Sequence, residues 1–144
     1  MKTTFLLISI FCLSGFGIAQ VSNTIQDPLP AIASNFIKTN FAGETILQSF
    51  QKNDDNKVEY HAHLSNGIEI EFDGEGNWEE VDSKTATAIP TGFIPSKITS
   101  YVSKNFPTQK IAKIEKDSNS YDVELTNGLD VEFNLNGDFL RIDD

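Results

Sequence analysis

Residues 64–78, Leu-Ser-Asn-Gly-Ile-Glu-Ile-Glu-Phe-Asp-Gly-Glu-Gly-Asn-Trp, place a strictly alternating strand between two glycine turns, and the same pattern returns at Leu125. With residues 64–82 set over 125–143, identities fall at Leu64/Leu125, Asn66/Asn127, Gly67/Gly128, Glu71/Glu132, Phe72/Phe133, Gly76/Gly137 and Asp82/Asp143. A chain that writes one meander twice is restricted to two copies of one supersecondary unit.

Alternation puts Ile68, Ile70 and Phe72 on one face and Glu69, Glu71 and Asp73 on the other, as in a strand with one buried and one wet side. The preceding segment alternates as well, with Val58, Tyr60, Ala62 and Leu64 against Glu59, His61, His63 and Ser65. Paired residues must share a face, which fixes register. A two-residue Asn66-Gly67 turn would oppose Leu64 to Glu69. A three-residue loop with Gly67 left-handed instead pairs Leu64 with Ile68, Tyr60 with Phe72, His63 with Glu69 and His61 with Glu71. In the second copy it pairs Val123 with Val131, Glu124 with Asp130 and Asp122 with Glu132.

For the following turn the second copy suggests a two-residue type I′ loop at Asn136-Gly137, matching Phe133 with Leu140, Glu132 with Arg141 and Val131 with Ile142. Carried to Glu75-Gly76, that register sets Val81 opposite Ile70 and Trp78 opposite Asp73. It therefore predicts that Trp78 and Phe139 lie on the acidic face, away from the core.

At the start of the chain Met1-Lys2 precedes an apolar run from Phe5 to Phe11 and small residues ending Gly17-Ile18-Ala19, the pattern of a secretory signal peptide over residues 1–19. Cys12, the only cysteine, lies inside it and follows Phe11, a poor context for lipidation, so the mature chain is expected to hold no disulfide. No later stretch is long and apolar enough to span a bilayer as a helix. The net charge of −10 becomes −11 when Lys2 leaves with the leader, a balance that disfavours nucleic acid and anionic membrane surfaces. Residues 20–144 are short enough to form a single domain.

Helical spacing of Ile32, Ala33, Phe36, Ile37 and Phe41 follows Asp27-Pro28-Leu29-Pro30, where either Asp27-Pro28 or Pro30 can begin a helix. At an offset of 65, Ile94-Pro95, Ile98, Tyr101, Val102, Asn105 and Phe106 repeat the pattern. Residues 44–52 and 109–116 read as first strands. Asn53-Asp54-Asp55-Asn56 reads as extra length in a hairpin loop. The predicted fold is α+β: a tandem repeat of one helix plus about four antiparallel strands, over about 27–82 and 94–144. Residues 83–93 form the joint, and the helices pack on one face of an open antiparallel sheet. Units this small bury too little apolar surface to be stable apart, so one shared body is expected.

Phe-Asp-x-x-Gly-x-Trp at 72–78, Ile89-Pro90, Ile94-Pro95 before a short helix ending Asn105-Phe106-Pro107, and Asn-Gly-x-Asp-Val-Glu-Phe at 127–133 carry a family likeness. Over residues 29–144 the chain resembles the PepSY-like family of secreted Bacteroidetes proteins, related in fold to the β-lactamase-inhibitor proteins. The resemblance implies a helix-plus-four-strand unit used twice, with an open sheet face available to a partner, and carries over no site residues. Unlike the inhibitor relatives, this chain would lack disulfides and presents a far more acidic face.

Catalytic patterns are missing from the sequence: no nucleophile elbow, phosphate loop of useful spacing or zinc-type cysteine set is present. A non-enzyme needing no cofactor is the expectation. His61 and His63, two apart on one strand and set against Glu71 and Glu69, could together hold zinc or copper, although exposed polar alternation is the plainer reading. The matching residues of the second copy, Asp122, Glu124, Asp130 and Glu132, suit calcium better. The leading functional expectation is a secreted or periplasmic binding module, inhibitor-like, that meets a protein of basic or apolar surface. Trp78, Phe139, Glu69, Glu71, Asp130 and Glu132 are the expected contact residues. Divalent-cation binding at the sheet-face carboxylates and His61/His63 is the alternative. Export predicts a mature N-terminus at Gln20 or within two residues of it; an intact mass that retains residues 1–19 in secreted material would refute the leader.

Overall fold

The computed structural model describes residues 28–54 and 57–143. The expected signal segment 1–19, Asp27 and part of the expected 53–56 loop thus lie outside the described residues. Helix α1 (Ala31–Asn40) leads into β1 (Ile46–Asp54), β2 (Lys57–Leu64), β3 (Ile68–Phe72) and β4 (Trp78–Ser83). Helix α2 (Ser96–Asn105) leads into β5 (Ile111–Lys116), β6 (Ser120–Leu125), β7 (Asp130–Asn134) and β8 (Phe139–Asp143). All eight strands form one antiparallel sheet in chain order, β1 and β8 at its edges. Asn53 and Asp54, expected in a loop, extend β1, and Asp54 pairs with Lys57.

Each helix follows a proline with φ near −50°, Pro30 and Pro95, whose carbonyls accept from Ser34 N–H and Thr99 N–H. Proline fixes the approach to the first turn and has no N–H to leave unsatisfied there. Ala33, Ile37 and Phe41 of the first half and Ile98 and Val102 of the second turn inward. They meet a row of residues that crosses the sheet: Ala62, Ile70, Val81, Ile114, Val123 and Val131, all essentially inaccessible. The row passes from one half to the other where Val81 pairs with Ile114, so the two halves share one core. The joint packs onto it through Ile89, whose N–H donates to Ile111 O.

The Asn66-Gly67 and Asn127-Gly128 hairpins have the expected register: Tyr60 opposes Phe72, His61 Glu71 and Asp122 Glu132. The next hairpin in each half corrects the type I′ expectation. Gly76 N–H donates to Asp73 O and Gly137 N–H to Asn134 O, while Asp73 N–H donates to Asn77 O and Asn134 N–H to Asp138 O. These are three-residue loops with glycine left-handed, at φ 93° and 79°. Side chains stabilise them. Asp73 Oδ1 accepts from the N–H groups of Glu75 and Asn77, and Asn134 Oδ1 from those of Asn136 and Asp138. A Cβ on Gly76 would lie 2.8 Å from Pro30 Cβ, and one on Gly137 3.0 Å from Lys97 Cβ. Each tip is thus tucked against the start of its helix.

The longer loop moves the pairing by one residue, so Trp78 opposes Phe72 and Phe139 opposes Phe133; a bulge then restores Ile70 to Val81 and Val131 to Ile142. Both aromatics consequently lie on the helix face, not the acidic face. Trp78 stacks on Phe36 of α1 at 6.2 Å between centroids and on Tyr121 of β6 at 6.4 Å, and meets Phe93 of the joint edge-on at 5.2 Å. It fastens α1, the joint and the second half together. Phe139 stacks on Tyr101 of α2 at 4.8 Å and remains 39% exposed at the edge strand. Trp78 emission is therefore expected to be blue-shifted and resistant to quenchers, and Trp78→Ala to lower stability by about 3 kcal/mol. Red-shifted, freely quenched fluorescence with an unchanged melting temperature would contradict this placement.

Candidate functional site

The helices cover one face of the sheet, and register assigns the other face its side chains. Two rows run across all eight strands there. One is Phe50, His61, Glu71, Glu80, Glu115, Asp122, Glu132 and Arg141; the other is Gln48, His63, Glu69, Asp82, Lys113, Glu124, Asp130 and Asp143. Glu69, Glu71, Asp130 and Glu132 thus occupy the predicted face, whereas Trp78 and Phe139 do not share it. Ten carboxylates in these rows face only Lys113 and Arg141 as permanent cations, with Lys84 reaching in from the end of β4.

The cations are held tightly. Lys84 pairs with Asp82 and with Glu69 at 3.2 Å, and these contacts, Asp82 first, raise its pKa. Burial alone would lower Lys113, but Glu80 at 2.8 Å and the neighbouring carboxylates outweigh it and raise the value. Arg141 forms an ion pair with Glu132 at 2.7 Å and donates to Asp143 at 2.9 Å. Two carboxyls bear the cost of crowding. Burial, then the charge of Glu80, pushes Glu71 upward; burial, then Glu132, Asp117 and Glu115, does the same to Asp122. A carboxyl raised in the folded state holds its proton where the unfolded chain has released it. Stability from these two groups therefore falls as pH rises through that interval and returns on acidification.

Around β5 to β8, Lys113, Glu115, Asp122, Glu124, Asp130 and Asp143 line one shallow acidic hollow. At the other end of the face, the four residues expected to share a metal separate into two groups. His63 lies 3.7 Å from Glu69, which is engaged by Lys84. His61 lies between Glu71 and Glu59, 3.4 Å from Glu71 through Nδ1 and 3.9 Å from Glu59 through Nε2. Among the described residues, Glu59, His61 and Glu71 are the set that brings a ligand atom from each within 4.8 Å. Glu59 is the member absent from the expected ligands, although its position two residues before His61 on the same strand is legible in the alternation. Phe50, which lies parallel to the His61 ring at 4.8 Å, had no sequence signal, because the inward face of β1 was ambiguous.

Family and structural comparisons agree. The family described as "Putative beta-lactamase-inhibitor-like, PepSY-like" matches residues 58–141. A structure described as a "putative calcium-regulated periplasmic protein" of Bacteroides thetaiotaomicron is 36% identical, with 81% of this chain and 91% of that chain covered at a TM-score of 0.76. A periplasmic protein of the DUF2874 family from Bacteroides vulgatus is 34% identical, covering 81% and 91% with a TM-score of 0.74. A second periplasmic protein of that organism, of unknown function, is also 34% identical and covers 81% and 92% at 0.76. No curated protein matches the sequence. Among the described residues no helix is long and apolar enough to cross a membrane, and the relatives place the protein in the periplasm. With an open eight-stranded sheet, two helices on one of its faces and a family match from β2 to β8, over more than half of the chain, the chain belongs to the PepSY-like, β-lactamase-inhibitor-like family.

Proposed function

We propose that this protein is a non-catalytic periplasmic binding module whose uncovered sheet face receives a protein partner with a basic surface. The two halves are read as copies of one unit, joined so that their outward rows form a single continuous face. One observation carries the reading: ten carboxylates are gathered on the face that no helix covers, against two cations within the rows. Gathering like charges on a folded surface opposes folding, and a complementary partner would relieve that repulsion while steering its own approach. The apolar anchors expected at Trp78 and Phe139 are not part of this surface, so recognition rests on charge and on the flat stems of the strands.

Glu115→Lys with Glu124→Lys reverses two charges at the middle of the face without touching the core. This variant is expected to melt no lower than the wild type and to lose at least tenfold in affinity for a partner captured from periplasmic extract. Wild-type capture should weaken as salt is raised. Capture that is indifferent to both the double reversal and salt would place the interface elsewhere.

A second reading is favoured by the acidic hollow together with the 36% identical relative described as calcium-regulated: Asp122, Glu124, Asp130 and Asp143 would take calcium, a cation that prefers oxygen donors. Calcium at millimolar concentration should then raise the melting temperature of the wild type and leave Asp122→Asn/Asp130→Asn unaffected. An equal response from magnesium, or from the variant, would reduce the effect to general screening.

A further inference from the structure

The His61 side chain, although on the outer face, is only 12% exposed. Its Nε2 is shielded from solvent and makes no hydrogen bond, the nearest carboxylate oxygen, of Glu59, being 3.9 Å away. A buried polar atom without a partner calls for an explanation, and a bound ion is a common one. The other ring nitrogen approaches Glu71 at 3.4 Å, also longer than a good N–H···O bond. Two carboxylates therefore converge on an imidazole without closing on it.

We propose that Glu59, His61 and Glu71 form a zinc-class transition-metal site on the first half of the sheet, independent of the calcium reading of the second half. Glu59 and His61 alternate on β2, and Glu71 faces His61 across β3, so all three side chains leave the same face. One nitrogen and two carboxylate oxygens, completed by a water, is a donor set suited to zinc; the imidazole disfavours calcium and magnesium. Ligand atoms already within 4.8 Å of one another need side-chain rotation alone to reach the separation of about 3.3 Å that tetrahedral zinc requires.

The surroundings favour that rotation. Phe50 lies parallel to the imidazole, 4° between planes, and fixes the orientation of the ring. Lys57, 3.1 Å from Glu59, also reaches Glu79 at 3.2 Å and keeps an acceptor when Glu59 turns toward a metal. A dication would also relieve the crowding of Glu71 by Glu80. The second half provides an internal contrast: Ser120, Asp122 and Glu132 hold the matching positions, with no imidazole, and Arg141 pairs with Glu132 at 2.7 Å.

The test is equilibrium dialysis of the untagged mature protein against micromolar zinc in a non-coordinating buffer, read by metal analysis and by the imidazole resonances of the two histidines. About one zinc per chain is expected, with His61 signals shifting and those of His63 unmoved. His61→Ala and Glu71→Gln should each weaken uptake at least tenfold, His63→Ala should leave it unchanged, and millimolar calcium should not displace the metal. Since His61→Ala removes the Phe50 stack, Trp78 emission reports whether that variant is folded, and Glu71→Gln gives the answer without disturbing the stack. No uptake by the wild type at 100-fold higher zinc, uptake that depends on His63 but not on His61, or displacement by calcium would each overturn the assignment.

Discussion

The row Ala62, Ile70, Val81, Ile114, Val123 and Val131, one residue from each of six neighbouring strands, underlies both helices and passes through the centre of the molecule. Its continuity depends on register. A slip of one residue at any pairing would turn that strand's apolar set outward and bury its carboxylates. The outer face is charged because the inner face is closed, and the same pairings that bury Ile70 and Val131 present Glu69, Glu71, Asp130 and Glu132 to solvent.

Register is in turn held by turns that use the backbone freedom of glycine and the side-chain acceptors of Asp73 and Asn134. Those hairpin tips reach the helix starts, where Gly76 approaches Pro30 and Gly137 approaches Lys97. Three-residue loops and bulges aim one aromatic per half beneath its helix. Trp78 then joins α1, the joint and Tyr121, while Phe139, at the sheet edge with no further strand beside it, covers Tyr101 and remains partly open. One local device thus has different consequences in the two halves, because β4 has β5 beside it and β8 is an edge strand.

Charge on the outer face follows the same division. The second half gathers carboxylates with Lys113 and Arg141 among them; the first half places an imidazole between two glutamates and shields it with Phe50. Family membership and periplasmic placement explain the scaffold and its location. The proposed binding chemistry draws on these row residues, in which the two halves differ.

Sequence alone determined what local periodicity can specify: two helices from helical spacing, about eight strands, and from period-two alternation the pairings across Asn66-Gly67 and Asn127-Gly128 and the carboxylate face. Alternation is a local property, and burying one face leaves a single register that satisfies it. The side of the sheet taken by Trp78 and Phe139 was not legible in that way. An x-Gly turn closes over two residues or three, and the choice lay with the Asp73 and Asn134 side chains and with room beneath the helix starts, which exist only in the assembled fold. Likewise alternation placed His61, His63 and Glu59 on one face, but the separation of His63 from His61 depended on Lys84 holding Glu69 and on Phe50 lying over His61. Both are contacts between strands or segments whose relative placement no local pattern specifies.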